Sequence, residues 1–252
     1  MFDRGMPLQL YLLGNFPEGL LGGLALNVLV ALVAFSGSFC LGHGLALGRL
    51  SRHRVLRLAC GAYVELVRAV PLLIVLFWFF FLMPILLQVA LPPLMTALIA
   101  LTAYASAYQA EFIRTGIRSV APGEIEAARS LGLSPLATWL RVVLPQAHRH
   151  MLPTYASYFT SLFKDTSVLY LVGLVDLMQT GLIAAERAPG RMLEAYATVG
   201  ALFFIVCWLG SRLASALERW LSPNTHPAAR KAQRPHPSTP RRPSQENPHA
   251  HA

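Results

Sequence analysis

Between Arg68 and Glu111 the chain reads AVPLLIVLFWFFFLMPILLQVALPPLMTALIALTAYASAYQA, 42 residues without a formal charge. A bilayer core of about 30 Å takes about 20 helical residues, so this run suits two crossings and is too long for one. Pro84 and the pair Pro92-Pro93 mark where it breaks, because proline lacks an amide donor and favours turns. Helices are expected near 69–88 and 93–113. Working outward, Glu18 to Arg49 is also free of charge and supplies a crossing near 20–48. A run near 153–175 is interrupted only by Lys164-Asp165, and another at 195–211 is bounded by Glu194 and Arg212. The last is short, but an arginine can snorkel to the interface and lengthen it. Five helices result. The approach to the first lacks a strong basic segment and its apolar run is too long for a signal sequence, so it is expected to stay.

Composition supports the same class. Apolar residues make up 55% of the 252 and charged residues 13%, about half the charged share of a soluble domain. A net charge of +9 suggests nucleic acid at first sight, but the basic residues cluster between uncharged runs. Five fall at 49–68, five at 114–150 and seven from 212 onward. With five crossings one side of the membrane carries 17 basic residues and the other 3, leaving Lys164 within the bilayer. Positive charge marks the cytoplasmic face, so the N-terminus is expected outside and the C-terminus inside. Small residues recur four apart at Gly19 and Gly23 and at Gly44 and Gly48, a spacing that permits close helix packing. Residues 219–252 form an expected disordered tail, with seven prolines and four histidines and no apolar periodicity. The three cysteines form no metal motif, and no metal site is expected.

Residues 114–153 are too charged to cross and too patterned for a loose loop. Ala121-Pro122-Gly123 makes a turn, and Glu124 and Glu126 open a helix where the dipole favours anions. Gly132 is placed as its left-handed cap. Ser134-Pro135 starts a second helix, in which Leu136, Trp139, Leu140 and Val143 recur at helical spacing up to Pro145. A short amphipathic pair on the cytoplasmic face suits a lipid surface or a protein groove, and the acidic pair disfavours anionic headgroups.

The run Glu126-Ala127-Ala128, three residues, Gly132, nine residues, Val142, one residue, Leu144-Pro145 resembles the EAA loop of bacterial ABC importer permeases, with valine for isoleucine its one departure. Tyr63 to Arg68, Pro71-Leu72-Leu73, Ala107 to Glu111 with Arg114, and Lys164 to Ser167 narrow the resemblance to the polar amino acid type, for histidine, glutamate, glutamine or arginine. Asp165 to Tyr170 and Ala185-Glu186-Arg187 are most similar to glutamate and aspartate permeases. The resemblance implies an all-α, type I ABC importer permease domain over 20–218, preceded by a periplasmic segment 1–19, in a bacterial inner membrane. It implies a coupling loop at 121–146 that docks an ATPase subunit through Glu126, Ala127 and Ala128, turns at Gly132 and is anchored by Leu144-Pro145. The implied partners are an ATPase dimer, a second permease copy or relative, and an extracytoplasmic amino-acid-binding protein. ATP would be used by the ATPase, since neither Lys164 nor Lys231 ends a phosphate-binding loop; no cofactor and no nucleic acid is expected on this chain.

A charge at the bilayer centre costs about 2.5–3.5 kcal/mol, which singles out Lys164-Asp165. Two roles stand: each charge locks the bundle through a partner helix, or Lys164, Asp165, Thr166 and Ser167 line the path and meet the ammonium and carboxylate of an amino acid. Glu111 either pairs with Arg114 three residues on or gates the same path. His43 is expected as a hydrogen-bonded packing residue, and Phe77 to Phe81 as a lipid-facing or packing surface. An intramembrane enzyme would need a motif such as HExxH or GxSxG, which the chain lacks, and no catalytic residue is expected. A self-sufficient transporter has no use for a coupling loop, and five helices do not divide into equal inverted halves. Permeases for another polar amino acid or an opine remain alternatives.

Overall fold

In the computed structural model, which describes residues 6–89 and 91–221, regular structure is helical throughout. The tail from residue 222 and the first five residues lie outside the described residues. A short α1 (Leu8–Leu13) turns into α2 (Gly23–Leu50), which starts three residues later than expected. Gly23 sits at φ +54, donates its amide to the Val175 carbonyl at 3.0 Å, and has no room for a Cβ beside the Tyr11 carbonyl. That backbone cannot continue a helix from Leu20.

The basic segment 49–68, which lies between two of the expected helices, is largely a helix of its own, α3 (Arg54–Ala69). Pro71 forces Val70 into an extended conformation, as proline does to the residue before it, and the chain turns by 109° into the next helical run. That run joins α4 (Leu72–Phe77), a π turn at Trp78–Leu82 and α5 (Met83–Leu87), and ends at Gln88 with φ 53. Pro84 therefore does not break it. The wide turn just before it pairs each amide with a carbonyl five back, so the Phe80 carbonyl does not need the amide that proline lacks. α6 (Pro93–Arg118) begins where the sequence indicates and runs five residues further.

α7 (Pro122–Ser130) and α8 (Pro135–Thr138) follow. Contrary to expectation, Pro145 does not stop the second helix of this pair; a π turn at Trp139–Val143 leads directly into α9 (Leu144–Asp165). The arrangement around Pro84 is repeated here, with Arg141 inside the wide turn. The helix expected near 153–175 thus begins earlier and carries Pro153 inside it. Its α-helical part ends at Asp165, so Lys164-Asp165 lies at a helix end rather than midway. A 3₁₀ stretch, Thr166–Val172, then closes at Gly173, φ +82. α10 (Leu177–Arg187), not anticipated, and α11 (Met192–Leu221), longer than 195–211, complete the described chain.

α2 and α6 run parallel in close contact, Gly37 against Thr102 and Gly42 against Gln109. Close approach thus uses Gly37, Gly42 and Gly48, whereas Gly44 meets nothing among the described residues and Gly19 precedes the helix. One core cluster joins Ala46, Val64, Ala110, Ile113, Val143 and Tyr155; a second joins Leu26, Val30, Ala97, Leu101, Leu162 and Leu169. Among the described residues two helices, Gly23–Leu50 (mean hydropathy 2.2) and Pro189–Trp220 (1.8), are long and apolar enough to cross a membrane, with the bent pair Arg54–Ala69 and Leu72–Leu87 a third candidate.

Candidate functional site

The helix pair around Gly132 is built by local hydrogen bonds. At the end of α7 the Leu133 amide donates to the Ala128 carbonyl (3.2 Å) and the Gly132 amide to that of Arg129 (2.9 Å), a Schellman closure that requires the left-handed φ of +80 at Gly132. Ser134 Oγ accepts the Ala137 amide (3.2 Å) and caps α8. The Gln146 side-chain amide donates to Glu124, which ties the first turn of α7 to the first turn of α9. Glu126 and Ala127 are exposed while Ala128 is buried. Leu136 and Leu140 point outward, 67% and 52% exposed, and Leu131 is 82% exposed. Only Trp139 and Val143 of the expected apolar row face the protein. Leu144 is half-buried and Pro145 exposed, and the buried side chains beside them are Val143 and Ala147. A fixed carboxylate beside exposed leucines suits insertion into a groove of another protein.

Glu111 lies elsewhere, near the C-terminal ends of α2 and α6. Its carboxylate accepts Arg49 Nη1 at 2.8 Å and Arg114 Nε at 3.0 Å, and Arg49 also reaches Glu65 at 3.3 Å. The four residues Lys164 to Ser167 separate in space, as helical neighbours about 100° apart must. Lys164 is exposed on a cleft of about 210 Å³ between α9 and α11, with Ser157, Thr160 and Ser215. Asp165, half-buried, is close enough to Tyr104 and Tyr158 to interact electrostatically. Ser167 is half-buried.

Thr166 is fully buried: its hydroxyl donates to the Phe163 carbonyl (2.7 Å) and accepts Asn27 Nδ2 (3.0 Å). Asn27 Nδ2 also reaches Asp176 Oδ2 (3.1 Å), and Asn27 Oδ1 accepts the Leu177 amide (2.9 Å). Asp176 caps α10 through the Gln179 amide at 2.9 Å. Burial pushes the Asp176 carboxyl up to about 6, against the pull of the hydrogen bonds from Gln179 and Asn27. Sequence reasoning missed this group, although Asn27 is an amide inside an uncharged run and Asp176 with Gln179 has capping-box spacing.

Around Asp165 the structure gathers aromatic groups that the sequence did not single out. Tyr108 stacks on Tyr158 (centroids 5.7 Å), its hydroxyl meets that of Tyr104 (3.0 Å), and the Arg68 guanidinium sits 5.5 Å over its ring. The Tyr158 hydroxyl is buried without a hydrogen-bond partner among the described residues. A carboxylate, a guanidinium and a free hydroxyl around stacked rings can recognise a small zwitterion. His43 holds the Phe39 carbonyl through Nδ1 (2.7 Å) and His148 through Nε2 (3.1 Å).

Residues 38–225 match the family profile of the binding-protein-dependent transport system inner membrane component. The chain is 33% identical over 207 residues to the glutamate/aspartate import permease protein GltK of Escherichia coli, covering 79% of this chain and 92% of that one. It is 32% identical over 232 residues to the nopaline transport system permease protein NocM of Agrobacterium fabrum, covering 87% and 93%. A crystal structure of an amino acid ABC transporter with histidines superposes with a TM-score of 0.72 at 29% identity, covering 78% of this chain and 91% of the other.

Proposed function

We propose, because this chain belongs to the family of binding-protein-dependent transport system inner membrane components, that it is the membrane permease subunit of an ATP-driven importer of polar amino acids. Glutamate and aspartate are the proposed cargo, in line with the similarity to GltK; the similarity to NocM favours an opine as the second reading. The five crossings are α2, the run 72–87, α6, α9 with its 3₁₀ extension, and α11. The N-terminus lies outside and the C-terminus inside, because this puts 17 basic residues on the cytoplasmic face of a bacterial inner membrane.

The observation that carries the reading is the closed helix pair that leaves Glu126, Ala127 and Leu136 open to a partner. An ATPase dimer grips this pair on each of two permease copies or relatives. ATP bound and hydrolysed there drives alternating access, and a periplasmic binding protein delivers the cargo. Asp165 and Arg68 receive the ammonium and carboxylate, with the Tyr158 hydroxyl completing the contact; Thr166 holds the helix end in place. Glu111, engaged by two arginines, closes the inner ends of α2 and α6.

Co-purification with the co-expressed ATPase tests this. Glu126→Lys is expected to release the ATPase while the permease stays folded in detergent; retention of the ATPase by that variant would remove the docking role.

A further inference from the structure

Beside the Glu111 group, at the C-terminal ends of α2 and α6, lies a cleft of about 350 Å³ walled by α3. Four of its lining residues are arginines, Arg49, Arg57, Arg114 and Arg118, and one is an acid, Glu65. Arg49 and Arg114 are engaged by Glu111. The Arg57 guanidinium reaches only the Ser51 carbonyl, at 3.4 Å, and that of Arg118 has no ion pair or hydrogen bond among the described residues. Counting Glu65 and Glu111, two of the four guanidinium charges are unbalanced. Arginine binds phosphate oxygens through its planar fork, and this composition calls for an anion.

A second feature of α3 names the source of that anion. Val55, Leu58, Ala62 and Leu66 share one face of the helix, and Val55, Leu58 and Leu66 are 81%, 59% and 62% exposed. Leu58 and Ala62 also line the arginine cleft, so the apolar face and the basic pocket meet along one edge. The 109° bend at Pro71 prevents α3 from following the direction of the crossing 72–87. With that crossing tilted about 20° from the membrane normal, α3 lies closer to the membrane plane. A free anion uses the arginines and ignores the leucine face; a molecule with both a phosphate and acyl chains uses both.

We propose that this cleft is a headgroup site for an anionic phospholipid, its phosphodiester held by Arg57 and Arg118 and its acyl chains laid along Val55, Leu58, Ala62 and Leu66. The proposal rests on the membrane orientation given above, which places the cleft at the inner leaflet. There the lipid pins α3 against the inner ends of α2 and α6, and basic pockets of this kind between membrane helices suit acidic headgroups.

The permease, alone and with its ATPase, is placed in nanodiscs of phosphatidylcholine with a minor share of phosphatidylglycerol, and retained lipid is counted by native mass spectrometry. The wild type is expected to keep phosphatidylglycerol over phosphatidylcholine. Arg57→Gln with Arg118→Gln, which spares the arginines on Glu111, should lower that retention on the order of tenfold. Leu58→Glu, which leaves every arginine in place, should lower it as well. Equal retention by wild type and double variant overturns the proposal, as does displacement of the lipid by excess inorganic phosphate, which would mark a free-anion site. Loss of the ATPase together with the lipid in the double variant also overturns it, since the cleft would then be a subunit contact. If the wild type binds no ATPase, the transport reading fails while lipid retention by the permease alone still tests the site.

Discussion

Replacing Asn27 with leucine tests whether the fully buried amide joining α2, the 3₁₀ stretch and α10 holds the C-terminal end of α9 in place. Leucine keeps the branched heavy-atom skeleton of asparagine, although its methyl groups are bulkier, so the shape is nearly conserved and the loss is mainly polar. The Leu177 amide loses its acceptor at 2.9 Å, and an orphaned buried donor costs about 1–3 kcal/mol. The Asp176 carboxylate loses the Asn27 donor at 3.1 Å, a bond to a charged group of about 1.5–3 kcal/mol. Hydrogen bonds between membrane helices average nearer to about 0.6 kcal/mol, which pulls the total down to about 3 kcal/mol. For a chain of this size the melting temperature should fall by about 6–12 °C. The assay is thermal unfolding in detergent, with Leu29→Ala, a half-exposed position on the same helix, as the control. Thr166→Val should lose less in the Asn27→Leu background than alone, because the two share a bond. Melting of Asn27→Leu within about 1 °C of wild type, or strict additivity with Thr166→Val, would refute the reasoning.

Asp165→Asn should abolish amino acid uptake in proteoliposomes while the assembled complex elutes normally; normal uptake would exclude Asp165 from the path. Gly132→Ala meets no atom of the described residues within 4 Å, so its cost is the left-handed backbone alone, about 1–2 kcal/mol. ATPase affinity of that variant should drop by up to about tenfold, and less for Gly132→Asn. Asp176 gives a pH dependence: with its carboxyl raised to about 6, the folded state holds this proton more tightly than the unfolded chain. That contribution is complete below the ordinary carboxyl range of about 4 and is lost as pH rises through about 6. Thermal stability should therefore increase between neutral pH and about pH 5, and Asp176→Asn should flatten the increase.

The apolar runs and the glycine turn were legible because each rests on one strong local signal. The absence of charge sets α2 and α6, and Gly132 is framed by Glu124 and Glu126 on one side and the Ser134 cap on the other. The prolines misled because their effect depends on the turn before them. At Pro84 and Pro145 a π turn removes the conflict, and the sequence carries no sign of it. α3 was hidden by its five-arginine neighbourhood, although Val55, Leu58, Ala62 and Leu66 recur at helical spacing. The site around Asp165 was legible only as a costly charge. Its tyrosines come from α6 and α9, brought together by packing that no spacing within one helix reveals, and Asn27 meets Asp176 across 149 positions of chain.

From Pro135 through the π turn to Asp165 the backbone is helical without a connecting loop. At about 1.5 Å per residue that rod is about 45 Å long. If an ATPase grips the α7–α8 end as proposed, the run offers no connecting loop in which a tug could dissipate, so tilt or rotation there would reach Asp165 as displacement of the carboxylate itself. On the proposed function, continuity along this one strut would make loading and release beside Asp165 a mechanical echo of the nucleotide cycle outside the membrane.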